Sequence, residues 1–244
     1  MNTYCADLHI HSVLSPCGDL EMSPGNIVDE AARKGLDMIA VTDHNHTGHA
    51  RLTRKLGASK GIWVLYGAEV NTREEVHCLT FFDTDEQLDA FQEALEENLP
   101  KIANDTSLFG HQVVVDEQDQ ILEEITYSLY PGVKWGIGET AKVVHELGGL
   151  FIPAHVDRPM NGLYTQLGFL PGDLKVDGVE ILRHITRESV VRDHPELAEI
   201  CLISNSDAHY LEEIGRSYTR FTMEHRDFNE FRMALRGEKG RGVK

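Results

Sequence analysis

The sequence predicts an α/β fold of repeated strand–helix units, closed or nearly closed into a barrel. Three observations carry that prediction. Apolar runs of strand length alternate with amphipathic helical patterns along most of the 244 residues, as a parallel sheet with crossover helices requires. The connections between them are short. Metal-ligating residue types recur at the ends of the apolar runs throughout the chain, and a barrel gathers the carboxyl ends of many strands on one face.

Each element has its own signal. Residues 3–11 read as the first strand, ending in His9-Ile10-His11. A helix follows, for which Ser23-Pro24 supplies an N-cap and a proline suited to the first helical position, with Gly35 after Lys34 as the stop. Residues 38–43 and 62–70 read as the second and third strands. An acidic helix over 84–98 and a polar stretch over 105–131 then break the pattern. The polar stretch contains Val113-Val114-Val115 and Gln120-Ile121-Leu122, and it reads as an inserted hairpin or lid. The repeat resumes with a helix over 139–147, closed by Gly148-Gly149, and with strands at 150–154, 178–182 and 200–204. The basic tail over 236–244 is expected to fray. A chain of this length fits one large domain, residues 1–244.

Composition narrows the partners. Forty acidic residues against 23 basic ones give a net charge of -17, which opposes a broad electrostatic grip on duplex nucleic acid or an anionic membrane. Neither is expected as a partner. Divalent ions held by some of the 13 histidines would reverse that field locally, so a small anionic substrate fits. Cys5, Cys17, Cys78 and Cys201 form no CxxC pair, and the amino-terminal residues lack the basic and apolar regions of a signal peptide. Reduced thiols and a cytoplasmic location are expected. No apolar run approaches the length of a membrane span.

The ligand-type residues are His9 and His11, Thr42-Asp43-His44, Glu69, His77, His155 and Asp207-Ala208-His209. Side chains alternate faces on a strand, so His-x-His and Asp-x-His each send two donors the same way, as a shared metal needs. A single histidine near a strand end is more often bonded to backbone than to metal. Two alternating pairs nearly two hundred residues apart favour the metal. Glu69, a carboxylate among imidazoles, is the group suited to bridge cations. Asp43 faces away from His44 and suits an orienting role. Arg158, three residues past His155, suits a phosphate oxygen, with an ion pair to Asp157 or Asp177 as the duller use. His46 is a candidate substrate contact or simply a helix-entry residue. His49 and His111 stay open, and His145, His184, His194 and His225 read as surface or capping residues.

In order along the chain, the His-x-His, Thr-Asp-His, Glu, His, Ala-His-x-x-Arg and Ser-Asp-Ala-His elements resemble the PHP (polymerase and histidinol phosphatase) family, over roughly residues 5–215. The resemblance implies a distorted (β/α)7 TIM-like barrel and a trinuclear site of three divalent ions (zinc, manganese or iron) that hydrolyses phosphoesters. It implies one ion among His9, His11, Glu69 and Asp207, and a second at Glu69, His77 and His155. A third would take His44, His209 and a group from the loop after His11. That loop is longer here than the family pattern, so Asp19 is the expected ligand and Cys17 its competitor, the thiolate favouring zinc. The chain resembles stand-alone members of the family.

The expected reaction is hydrolysis of a small phosphomonoester or phosphodiester. Water bridging two cations would be the nucleophile, with Glu69, Asp207 and Arg158 as the catalytic set. Two alternatives remain: amide or lactone hydrolysis by the same cations, and a non-catalytic regulatory module. The usual mark of the latter is lost ligands, whereas this set is intact.

Overall fold

The computed structural model describes residues Met1–Lys244. Strand β1 (Asn2–Ile10) leads into α1 (Pro24–Arg33), β2 (Met38–Val41), α2 (Ala50–Ser59) and β3 (Trp63–Asn71). The helix signals work locally as the chemistry requires. Ser23 accepts from the Asn26 amide with Pro24 in the first turn, and Gly35 takes the left-handed φ of +72° that ends α1. After β3 the chain folds straight back as β4 (His77–Phe82), then α3 (Asp85–Asn98), capped by a reciprocal Thr84/Gln87 box. The insertion holds a single turn, α4 (Thr106–Phe109), and a hairpin of β5 (Val113–Val115) and β6 (Ile121–Glu124). The rest comprises α5 (Ile137–Glu146), β7 (Leu150–Pro153), α6 (Leu163–Leu167), β8 (Val179–Glu180), α7 (Arg187–Asp193), β9 (Leu202–Ile203), β10 (Thr219–Met223), α8 (Phe228–Leu235) and β11 (Gly242–Val243).

One continuous sheet runs β11-β10-β1-β2-β3-β4-β7. β1, β2 and β3 are parallel, while β4 is antiparallel to both β3 and β7. A few backbone bonds complete the ring. Asp177 N–H donates to Phe151 and Val156 N–H to Glu180, joining β7 to β8. β9 pairs with β8, and the chain after β9 meets β1 through the Ile10–Ala208 bridge. The result is a distorted barrel of seven staves, β1-β2-β3-β4-β7-β8-β9, tightly laddered on one side and loosely on the other. The six strands read from the sequence are its parallel staves. β4 is the reversed one, and because it starts where β3 ends (Asn71 opposite His77), its first residue still lies at the carboxyl-end face.

Three apolar layers hold this shape. Outside β1 and β2, Ile27, Val28 and Ala31 of α1 pack on Ile39 and Val41. Outside β3, β4 and β7, Leu88, Phe91 and Leu95 of α3 with Ala141 and Val144 of α5 cover Tyr66, Cys78, Phe82 and Phe151. Inside, Leu8, Ala40, Leu65, Phe81 and Ile152 meet Phe231 and Leu235 of α8, with Phe231 edge-on to Phe81 at 6.0 Å and to Phe221 at 5.1 Å. Burying such an aromatic plug contributes about 3–5 kcal/mol. It closes one end of the barrel and leaves the opposite face for chemistry. No helix is long and apolar enough to cross a membrane.

Candidate metal centre

Glu69 lies on β3, two residues beyond Gly67. A Cβ on Gly67 would come within 2.7 Å of the Thr80 carbonyl, so β3 and β4 approach this closely only without one. The neighbours of Glu69 in sequence, Ala68 and Val70, face the outer layer, so by strand alternation its carboxylate points into the barrel mouth. Five imidazoles surround it. His9 Nε2 (3.2 Å), His77 Nδ1 (2.9 Å) and His155 Nε2 (3.1 Å) approach Oε1, while His11 Nε2 (3.4 Å) and His44 Nδ1 (3.1 Å) approach Oε2. Asp207 Oδ1 lies 3.3 Å from His9 Nε2 and 3.2 Å from His11 Nε2. All five histidines and Glu69 are buried.

Hydrogen bonding alone does not account for this packing. His9 Nδ1 lies 3.0 Å from Glu180 Oε2, which can only accept, so in the neutral imidazole that nitrogen carries the proton and Nε2 is a lone pair. His11 Nδ1 lies 3.1 Å from Ser15 Oγ, whose own proton goes to Asp43 Oδ1, so His11 Nε2 is also a lone pair. These two lone pairs stand 3.2 Å apart. His44 Nδ1, Glu69 Oε2, His77 Nε2 and His155 Nδ1 are buried without any hydrogen bond. Donor atoms about 2.1 Å from one cation stand roughly 3.0–3.4 Å apart. The observed separations are those of ligands around shared cations, and the four donor groupings in this cluster fit divalent metal.

The surroundings prepare the ligands. Burial, with lesser contributions from other charges, pushes His11 down to about 3 and His77 down to about 4, so both are neutral and able to coordinate at neutral pH. Burial works against the Glu69 carboxylate, but His77, His9 and His44 hold it well below the usual carboxylate range. His155 (φ +27°) and Asp207 (φ +51°) sit in left-handed backbone, strain that stiff surroundings must hold in place. Glu180 provides part of that hold, accepting from His155 N–H (2.9 Å) and Asn205 Nδ2 (2.8 Å) as well as from His9. Asp43 grips Ser12 and Ser15, and Ser15 in turn touches His11 and the His44 amide.

The third grouping bears on the choice between Asp19 and Cys17. It consists of His11, His44, His209 and Cys17, without Asp19. Gly18 packs so tightly on the Ser12 carbonyl that a Cβ there would lie 2.1 Å from it. This coils the loop and turns the Cys17 sulfur inward, although the residue itself lies at the surface. Asp19 is tied into the same coil, its amide donating to the His209 carbonyl and its Oδ1 accepting from Glu21 N–H. Burial raises the Cys17 thiol pKa, but His44 and His209 beside it more than offset this and bring it down to about 7.

Arg158 reaches the cluster, its Nη1 donating to Asp207 Oδ2 at 2.9 Å. Neither Asp157 nor Asp177 holds it. His46 is not brought in: its Nδ1 accepts from Gly48 N–H at 3.0 Å and its Nε2 lies 3.7 Å from Glu96 of α3. The tight turn after His44 aims that ring at the neighbouring helix, apart from the cluster. His49, left open by the sequence, is fully buried. Its Nε2 accepts from Val115 N–H (2.9 Å) and its Nδ1 meets Ser12 Oγ (2.6 Å), tying the inserted hairpin to the Asp43 network.

Sequence reasoning passed over Glu180, Asn205 and Asp7. The last holds the loop after β9 by accepting from the Ser206 and Gly215 amides. The available signal was a charged residue inside an apolar strand, as in Val179-Glu180-Ile181 and Ala6-Asp7-Leu8.

Comparison with known proteins places this arrangement. Residues 7–130 match the PHP domain model and residues 197–239 the PHP-associated model. The chain is similar over its whole length to the protein YqxK of Bacillus subtilis, at 26% identity, and spans 64% of that protein. Among solved structures, the lesion-specific endonuclease Q of Pyrococcus furiosus superposes with a TM-score of 0.78 at 24% identity, over 99% of this chain and 58% of that one. A structure from Bifidobacterium adolescentis assigned as a metal-dependent phosphoesterase superposes at 0.60 and 20% identity, over 87% and 91%.

The endonuclease Q fold also occurs in complex with a 27-mer duplex bearing an abasic lesion at the active site (TM-score 0.74, 23% identity, 99% of this chain and 58% of that one). The exclusion of duplex nucleic acid from net charge therefore does not stand. A total of -17 says little about the field at one concave face, where ligated cations and arginines set the local sign. The match to the domain model over half the sequence, on a barrel whose mouth carries this histidine and carboxylate cluster, shows that the chain belongs to the PHP domain family.

Proposed function

We propose that this chain is a metal-dependent phosphoesterase that holds up to three divalent cations and cleaves a phosphomonoester or phosphodiester. The observation that carries the reading is the convergence of five imidazoles on one buried carboxylate with lone pairs facing each other. Bound cations would supply an acidified water as nucleophile and Lewis-acid stabilisation of the phosphoryl oxygens. The residues of the chain do the rest. Glu69, placed between His9, His77 and His155 on one oxygen and His11 and His44 on the other, sets the spacing of the ligands. Asp207 would offer Oδ1 to a cation while holding Arg158 through Oδ2, so the guanidinium stands at the edge of the cluster, where it would neutralise charge on the phosphoryl group. That arginine favours phosphate over an amide or lactone. The inserted hairpin, anchored through His49, is proposed to cover the loop that carries Cys17.

The similarity to endonuclease Q and to the Bifidobacterium adolescentis protein supports phosphoester chemistry. Because the chain spans 58% of the endonuclease, the substrate is to be measured directly. The test loads purified protein with zinc, manganese or iron, counts the metal bound, and assays p-nitrophenyl phosphate, bis(p-nitrophenyl) phosphate, an abasic duplex and an amide and lactone panel. Turnover of a phosphoester, lost in Glu69→Gln together with bound metal, is expected. Full activity in Glu69→Gln, or turnover of amides alone, contradicts the proposal.

A further inference from the structure

The donor groupings at the barrel mouth differ in one respect. Three contain only imidazole and carboxylate, whereas the fourth, His11, His44, His209 and Cys17, contains the single sulfur of the cluster. Its four donor atoms lie within 4.8 Å of one another. The imidazoles there are set to coordinate: His209 Nδ1 lies 2.7 Å from the Asp207 carbonyl, which in the neutral ring leaves Nε2 as a lone pair, and His44 Nδ1 is buried without a hydrogen bond. His11 and His44 are buried, while Cys17 lies at the surface beside the half-buried His209. The loop that carries the sulfur has little slack. Ser15 N–H and Gly18 N–H donate to the Ser12 and Ser15 carbonyls at 3.0 Å, Val13 N–H to Met22 at 2.8 Å and Asp19 N–H to His209 at 2.9 Å.

From this arrangement we propose that Cys17 is an oxidation site through which a hydroperoxide empties the third cation position while the other two stay filled. This rests on the three-cation reading above. Reactivity towards peroxides follows thiolate character and access, and a bound cation keeps the sulfur deprotonated. The sulfur attacks the terminal oxygen of the hydroperoxide: an S–O bond forms, the O–O bond breaks, sulfur gives up two electrons, and the alkoxide or hydroxide released takes a proton from water. Cys17 is then a sulfenic acid, which has lost the anionic thiolate that binds metal, and its added oxygen needs room that the coiled loop does not provide. The imidazoles that remain are neutral donors, and His11 and His44 are shared with other groupings. An external thiol reverses the step, one equivalent forming a mixed disulfide with release of water and a second freeing Cys17. Cys78 is buried, and Cys5 and Cys201, half-buried, belong to no donor grouping. The response is therefore confined to one sulfur and one cation.

The experiment loads the full chain with zinc, removes the excess, counts the bound ions and adds hydrogen peroxide in the presence of dimedone and a chromogenic chelator too weak to strip the untreated protein. The wild type should release one of its three ions and carry the dimedone adduct at Cys17. In a sample treated without dimedone, dithiothreitol and fresh zinc should restore the count. Cys17→Asp puts a carboxylate in place of the thiolate, and zinc should leave it about tenfold or more slowly than it leaves the wild type. The double variant Cys5→Ser/Cys201→Ser should release zinc as the wild type does. Zinc retained in full after peroxide, whether or not Cys17 is modified, release without an adduct at Cys17, or equal release from Cys17→Asp overturns the inference and leaves the three-cation reading intact. Fewer than three ions before peroxide overturns both.

Discussion

Replacing Glu180 by glutamine tests whether a carboxylate outside the ligand set controls metal binding. Oε2 of Glu180 accepts from His155 N–H at 2.9 Å and His9 Nδ1 at 3.0 Å, and Oε1 accepts from Asn205 Nδ2 at 2.8 Å. Glutamine has one acceptor oxygen. With that oxygen at the Oε2 position, its NH2 faces the Asn205 NH2, and Asn205 cannot flip without losing the Leu8 N–H that its Oδ1 accepts at 2.9 Å. With the oxygen at Oε1, the NH2 faces two N–H donors instead. Either way a buried donor is left opposed to another donor, at about 1–3 kcal/mol. In the second arrangement His9 is also released from the tautomer that points its lone pair at the cluster, and in either one the loss of the carboxylate partner weakens metal affinity by roughly 10–100-fold. Competition against a chromogenic chelator reads the affinity, and urea unfolding of the metal-free protein reads the stability. Affinity within twofold of the wild type would refute the claim that Glu180 sets the His9 tautomer.

Three further outcomes are expected. Cys17→Ser should lower zinc retention at least tenfold while Asp19→Asn leaves it unchanged, as read by metal analysis after dialysis. The reverse pattern would restore Asp19 as the ligand. His49→Ala removes the acceptor of the buried Val115 N–H and the partner of Ser12, costing on the order of 3 kcal/mol; an unchanged urea midpoint and unchanged protease resistance of the 105–131 hairpin would contradict that anchor. The Arg241 hydrogen bond, with help from the Glu224 amide and against burial, lowers the Glu230 pKa to about 2. A depressed carboxylate stabilises the fold above its unfolded value near 4.5 and loses that contribution as pH falls towards 2. The stability gap between wild type and Glu230→Gln should therefore be constant above pH 5 and narrow below 4.5, and a gap that stays constant down to pH 3 would count against the pairing.

Local chemistry made a large part of this molecule readable in advance. The six parallel strands are apolar runs bounded by turn residues, and α1 begins at a cap visible as Ser23-Pro24. The histidines and carboxylates of the centre were legible because strand alternation is a property of the backbone alone. His9 and His11 must share a face whatever surrounds them. Helix-entry histidines carry no such constraint, which is why the sequence left His46 between two uses.

The sequence by itself thus determined which donors can point together, because residue type and spacing suffice for that. Only the tertiary structure decided the rest. A period of two marks a strand without giving its direction, so the reversal of β4, which delivers His77 to the same face as its parallel neighbours, depended on the tight turn after β3. Whether Cys17 or Asp19 enters the third grouping depended on how Gly18 coils against Ser12, a contact between residues with no pattern in common. Glu180 and Asp7 look alike as lone charges in apolar strands. One orients a histidine and the other pins a loop because of what lies across the barrel, and such distances exist only once the chain has closed.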